Sequence, residues 1–293
     1  MKLFDRTVTS LAVATTLSTT AFSFPSLAFT ITQNNNSEDL LSALLGDTMG
    51  LSDFSISISG DARSFGLFEG NPLDLGSGVV LSTGRVDRIP GENRGDNDFI
   101  SGSDLSFDLK EPGNDANSFD LAQLDISFQA DVTAEKLFFQ YVFGSEEFIE
   151  FGGDKFNDSF ELLLNGTNLA RLSDGQAVSI NNLIPQPEPD FFHPDYVDNP
   201  VGENTQTKLD GYTQVLTFEG ELAQNSQNTL SIRIKDVSDA LLDSAVFIKS
   251  GSVSTVVPEA VDNSESVPEP SLVLGLGLFG LSRIRRSKRS SSL

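Results

Sequence analysis

Cysteine and tryptophan are absent from the 293 residues, histidine occurs once, as His193, and basic residues are scarce. Without cysteine there is no disulfide scaffold, no thiolate nucleophile and no Cys-ligated zinc or iron–sulfur centre. One histidine rules out a multi-His metal site and argues against a Ser-His-Asp triad. Lys and Arg number 19 against 42 Asp and Glu, a formal charge of −23. No basic surface is on hand to displace counterions from phosphates, so nucleic acid is not an expected partner. Carboxylate and carbonyl oxygen are plentiful instead, and they are the ligands of hard cations such as Ca2+.

The two ends have their own compositions. Lys2 and Arg6 precede an apolar stretch that starts at Leu11, and Ser26-Leu27-Ala28 places small residues where a signal peptidase reads. Residues 1–28 are therefore expected to be a secretory signal, cut after Ala28. At the other end Val267-Pro268-Glu269-Pro270 leads into the apolar run 271–281. Arg283, Arg285, Arg286, Lys288 and Arg289 follow it. That run is shorter than the roughly 20 residues that span a bilayer comfortably, and positive charge beyond it favours the cytoplasmic side. The order of Pro-Glu-Pro, apolar stretch and Arg cluster resembles the PEP-CTERM sorting signal of bacterial surface proteins. The resemblance implies transient membrane insertion of this segment and processing by an exosortase. Between the two signals, residues 29–270 hold 12 Lys and Arg against 41 Asp and Glu, a net charge of −29. Such a body is repelled by anionic lipid or polysaccharide unless a divalent cation bridges them.

The body reads as one β-rich domain over residues 29–254, followed by a polar linker at 255–266 and the sorting signal at 267–293. Leu40, Leu41, Leu44 and Leu45 after Ser37-Glu38-Asp39 predict one short helix, capped by Ser37 and ended by Gly46. After it the apolar period becomes two. Phe54–Ile58, Leu105–Leu109 and Leu124–Phe128 alternate, while Leu137–Phe143 is nearly continuous and reads as a central strand. Phe160–Leu164, Ala177–Ile180, Val215–Phe218, Leu230–Ile234 and Ala245–Ile248 complete the expected series. An all-β fold follows: an antiparallel sandwich or jelly roll, with Phe138, Val142, Phe160, Leu162, Ile232, Ile234, Val246 and Ile248 buried on a common face. The proline-rich stretch 185–200 is expected to be an ordered surface loop, because Phe191, Phe192 and Tyr196 need cover.

Three acidic clusters are candidates for chemistry. The first is Glu92 to Asp98 with Asp104. The second joins Glu146, Glu147 and Glu150 to Asp154, Asn157 and Asp158. The third is Asp236, Asp239 and Asp243. Each crowds oxygen ligands into a turn beside a strand, as calcium requires, and none has EF-hand spacing. The second stands apart because Glu146 and Glu147 directly follow an apolar strand, so alternation turns one carboxylate toward the core. A structural calcium ion is expected at the second or the third cluster: Glu146, Glu147, Asn157 and Asp158 are one candidate shell, and Asp236, Asp239 and Asp243 are the other.

Tyr141-Val142-Phe143-Gly144-Ser145-Glu146-Glu147-Phe148 with Phe156-Asn157-Asp158 downstream resembles the signature of choice-of-anchor L domains. Leu81-Ser82-Thr83-Gly84, Asp210-Gly211-Tyr212-Thr213 and the span Ile234 to Phe247 extend the similarity, with Phe148 where the family usually has Tyr. The resemblance covers roughly residues 31–253. It implies an extracellular β-domain with no established enzymatic activity. A matrix or adhesion component of the cell surface is the leading expectation, with no catalytic residues. A calcium-dependent carbohydrate-binding module is the alternative, with Phe191, Phe192, Tyr196 and Tyr212 as its aromatic loop residues and extracellular polysaccharide as its partner. A glycoside hydrolase, needing two carboxylates roughly 5 to 10 Å apart in a cleft, ranks third.

Overall fold

The structure, a computed structural model, describes residues 28–95, 118–238 and 241–258. Contacts divide the chain between Glu259 and Ala260, and every described residue lies on the N-terminal side. The expected signal up to Leu27, the Leu105–Leu109 strand, Asp239 and the segment from Val267 onward fall outside the described residues.

In chain order the strands are β1 (Thr30–Gln33), β2 (Leu51–Ser59), β3 (Phe65–Glu69), β4 (Ser77–Ser82), β5 (Ser118–Ala130), β6 (Lys136–Ser145), β7 (Ser159–Leu164) and β8 (Thr167–Asn168). They continue with β9 (Tyr196–Asp198), β10 (Gly211–Thr213), β11 (Leu216–Glu221), β12 (Ser226–Val237) and β13 (Ser244–Lys249). Among the described residues two α-helices join them, α1 (Ser37–Leu44) and the single-turn α2 (Ile180–Leu183), with three short 3-10 turns. The strands form two antiparallel sheets, as expected. One runs β1-β3-β4-β13-β6-β10-β9, with β11 also on β6, and the other runs β2-β5-β12-β7-β8. Among the described residues no helix is long and apolar enough to cross a membrane.

Alternation explains the second sheet. Leu124, Ile126 and Phe128 of β5, Leu230, Ile232 and Ile234 of β12, and Phe160, Leu162 and Leu164 of β7 all point into the inter-sheet core. They meet Leu137, Phe139, Tyr141 and Phe143 of β6, Val246 and Ile248 of β13, and Val79 and Leu81 of β4. Tyr141 and Phe160 cross the gap with ring centroids 5.0 Å apart.

All eight residues expected to be buried are buried, but they do not share one face. Val142 lies on the outer face of its sheet with Val80, Ala245 and Phe247, under Phe29, Phe68, Leu73 and Leu209. Phe138 is likewise out of phase with the inner set and exchanges backbone hydrogen bonds with Ser254 (2.8 and 3.1 Å). The strand β6 is covered on both faces, so its near-continuous apolar run carries no alternation from which the inner face could be read.

Three local expectations are corrected. Asn36, not Ser37, caps α1, accepting from the amides of Glu38 (2.9 Å) and Asp39 (3.2 Å). The helix ends at Leu45 as segment 250–253 supplies donors to its last carbonyls, Gly251 to Ala43 (2.8 Å) and Val253 to Leu44 (3.0 Å). Gly46 is needed for proximity rather than for a special turn, since a Cβ there would overlap the Gly251 carbonyl. Ala177–Ile180 is not a strand: Ser179 starts α2, its hydroxyl accepting from the Asn182 amide.

Candidate functional site

The open end of β6 brings distant parts of the sequence together. Thr83 donates its amide to the carbonyl of Ser244 (3.0 Å), Ser82 Oγ donates to the same carbonyl (2.9 Å), and the Ser244 amide donates to Thr83 Oγ1 (2.9 Å). Gly84 then lets the chain pass against Asp243, whose carboxylate occupies the space a Cβ would take. The Glu146 amide donates to the Asp243 carbonyl (3.0 Å) and the Asp243 amide to Glu146 Oε2 (3.3 Å). These bonds join the β4, β6 and β13 ends into one rigid corner.

Behind this corner lies a row of hydroxyls. Ser244 Oγ is 2.9 Å from Ser145 Oγ and 2.7 Å from Asp158 Oδ2, and Ser145 Oγ accepts from the Glu147 amide (3.0 Å). Asp158 Oδ1 accepts from the Val237 amide (2.9 Å). Asp158 is wholly buried, and Glu147 and Asp236 are about 1% exposed. Burial pushes the Asp158 carboxyl well above the usual range, with the charges of Asp236 and Glu147 adding to the rise and the Ser244 and Val237 bonds opposing it. Two protonation patterns fit. An ionised Asp158 accepts a hydrogen bond from the Ser244 hydroxyl, whereas a neutral one donates to Ser244, which then donates to Ser145.

The second and third clusters are thus one site in part. Glu146, Glu147, Asp158, Asp236 and Asp243 meet at the same end of the sandwich, and Asp120 of β5 is also buried, near the β5–β12 bulge of the second sheet. Asn157 faces elsewhere: its Oδ1 accepts from the Asn181 amide (2.8 Å) and holds the start of α2. Among the described residues no group of three or more His, Asp and Glu side chains is arranged to hold a metal ion. Asp239, which sits in the sequence between Asp236 and Asp243, is outside the described residues.

The first cluster is a brace in its described part. Asn93 is buried and donates from Nδ2 to the Asn199 carbonyl (2.6 Å) and to Asp210 Oδ1 (2.9 Å), while Arg94 and Glu92 form an exposed pair at 3.6 Å. Asp96, Asp98 and Asp104 lie outside the described residues.

The four loop aromatics do not gather. Phe192 and Tyr196 pack edge to face at 5.3 Å, and Tyr196 meets Phe148 at 5.1 Å against the inner core. Tyr212 belongs to the outer cluster, and Phe191 alone among them is exposed. The proline-rich stretch is the ordered loop expected, anchored by a group sequence reasoning missed. His193 lies 3.5 Å from Asp174 and 3.6 Å from Asp195, and its Nδ1 accepts from the Asp195 amide (3.1 Å). The buried Asp195 carboxylate accepts from the Ser173 amide (2.6 Å) and from Gln214 (2.5 Å). A lone histidine beside an aspartate two residues away was the only signal for this latch.

The family model of the choice-of-anchor L domain matches residues 30–254. No curated protein and no solved structure matches the chain. Leu81–Gly84, Phe143–Glu147, Asp158, Asp236 and Asp243–Phe247, which lie far apart in sequence, supply most of the described acidic corner.

Proposed function

Because the chain belongs to the choice-of-anchor L family, whose name points to surface anchoring, we propose that it is an exported, non-enzymatic scaffold of the cell surface or extracellular matrix. The observation that carries this reading is the extent of the match: residues 30–254 are one such domain, set between a signal-like N-terminus and a sorting-like C-terminus. Export starts with signal peptidase acting after Ala28. Phe29 is then the first residue of the mature chain, and it is already packed against Phe247, with centroids 6.1 Å apart. An exosortase acts near Val267-Pro268-Glu269-Pro270 while residues 271–281 sit transiently in the membrane, held by Arg283, Arg285 and Arg286. The released domain faces extracellular polysaccharide.

Calcium at the acidic corner is part of the same proposal. It rests on donor chemistry and not on a preformed ligand shell. Five buried or half-buried carboxyl groups with serine hydroxyls between them are hard oxygen throughout, while no three of the described carboxyls are already grouped to hold an ion. A divalent ion there offsets the mutual repulsion of Glu147, Asp158 and Asp236 and serves stability rather than catalysis.

Intact mass of the protein recovered from the cell exterior tests the processing. The expected species begins at Phe29 and lacks the basic tail. A mature mass that still includes Arg285 to Leu293 would end the exosortase reading.

A further inference from the structure

A surface cavity of about 310 Å3 lies over the connection between β9 and β10, and none of the acidic-corner residues lines it. Its walls include Pro72, Pro200, Asn204, Gln206, Thr207 and Tyr212, and none of its lining residues carries a charge. In a chain where 21% of residues are charged and the net charge is −23, an uncharged recess is a departure that needs a reason.

The recess is built, not a gap between loose loops. Asn199 donates from Nδ2 to the carbonyls of Thr207 (3.0 Å) and Leu209 (2.6 Å), closing the connection on itself. Asn93 ties it to the neighbouring loop: its backbone amide donates to Thr205 Oγ1 (2.6 Å), and its carbonyl accepts from the Gly202 amide (3.0 Å). Thr205 Oγ1 in turn donates to the Gly202 carbonyl (2.8 Å). These polar groups are consumed by the scaffold.

The amides of Asn204 and Gln206 and the hydroxyl of Tyr212 are not consumed. None of the three side chains hydrogen-bonds to the described chain, and Asn204 and Gln206 point into solvent-accessible space. They offer donors and acceptors of both kinds at one rim. Pro72, Pro200 and the Tyr212 ring supply flat apolar surface beside them. Paired neutral donors and acceptors next to apolar faces match the hydroxyls and C–H faces of a pyranose ring. The volume stands at the low end for small-molecule sites, room for one or two rings rather than a long chain.

We propose that this cavity binds a neutral sugar unit of an extracellular polysaccharide. An anionic sugar is excluded twice, by the lack of any cation in the lining and by the acidic field of the domain. The site deepens the polysaccharide contact proposed above, while binding in solution does not depend on how the chain is sorted.

Isothermal titration of the purified exported protein with cellobiose, maltose, N,N′-diacetylchitobiose and digalacturonate tests it. At least one neutral disaccharide is expected to bind saturably, and digalacturonate is not. Removing two hydrogen-bonding side chains in N204A/Q206A should weaken binding about tenfold or more, with the melting temperature unchanged because both are exposed. Tyr212→Phe, which keeps the ring and its packing, should weaken it by a smaller factor. The proposal is overturned if no neutral disaccharide binds, if digalacturonate binds as tightly, or if N204A/Q206A binds unchanged. Loss of sugar binding in a correctly trimmed protein would count against this site alone. Faulty trimming with sugar binding intact would count against the sorting reading alone.

Discussion

Asp158 is the residue on which the acidic corner turns. Its carboxyl is raised by burial first and by Asp236 and Glu147 next. A folded-state value above the unfolded one, near 3.9, means the native state holds the proton more tightly. The stability this group contributes is complete below the unfolded value and is lost as pH rises through the raised one. Thermal melts between pH 5 and pH 8 should therefore show a decline toward pH 8. Asp158→Asn keeps a neutral partner for Val237 and Ser244, so it should flatten that decline and raise the melting temperature at pH 8. An unchanged slope in the variant would mean that Asp158 is ionised throughout. Gly84 offers a second test at the same corner, since a Cβ would meet the Asp243 carboxylate. Gly84→Ala should cost about 1–3 kcal/mol in denaturant melts, the usual range for overpacking. Asp243→Ala in the same chain should recover part of it, and purely additive losses would show that the two residues do not compete for space.

The elements divide by how they are covered. The strand β12 alternates because one face meets the core and the other meets solvent, whereas β6 is buried on both sides. Phe160 of β7 is the residue through which the second sheet reaches Tyr141 of the first. Phe160→Ala should cost about 3–5 kcal/mol, the range for large aromatic truncations in cores, or roughly 2–4 °C of melting temperature per kcal/mol for a domain of this size. Phe191→Ala, on the exposed turn of the proline-rich loop, should change stability by no more than about 0.5 kcal/mol. Equal losses from the two would show that the sheets are not coupled through this ring pair.

Net charge and calcium act on the molecule as a whole. A chain at −23 repels itself, so sodium chloride alone should raise its melting temperature by screening. Millimolar calcium at matched ionic strength should raise it by several degrees more, since an ion bound only by the native state adds RT ln(1 + [L]/Kd), about 2.7 kcal/mol at a hundredfold excess. Glu147→Ala and Asp158→Asn should each remove most of that extra rise. If matched sodium chloride reproduces the whole effect, the corner holds no specific ion and its carboxyls are managed by protonation instead.

Period-two alternation in Leu124–Phe128 and Leu230–Ile234 was enough to establish an antiparallel sandwich, because a half-buried strand must separate apolar from polar residues. The same local logic marked one of Glu146 and Glu147 as a carboxylate driven toward the core, and Glu147 is the one that is buried. Sequence also carried the short helix at Ser37, although its cap lay one residue earlier, at Asn36. The strands it missed are short or lack contrast: Thr30–Gln33 has little apolar pattern, and Ser77–Ser82 is buried almost throughout. Neither has the half-exposed face that alternation reads. Tertiary structure alone decided which side of β6 faces the core, since both sides are apolar and only the neighbouring strands break the tie. It alone joined Ser82, Ser145, Asp158 and Ser244, residues up to 162 positions apart, through bonds that span strands rather than turns. It alone left the recess beside Tyr212 without charge. Local periodicity reports how much of a strand is covered, and only strand pairing determines which distant side chains share that cover.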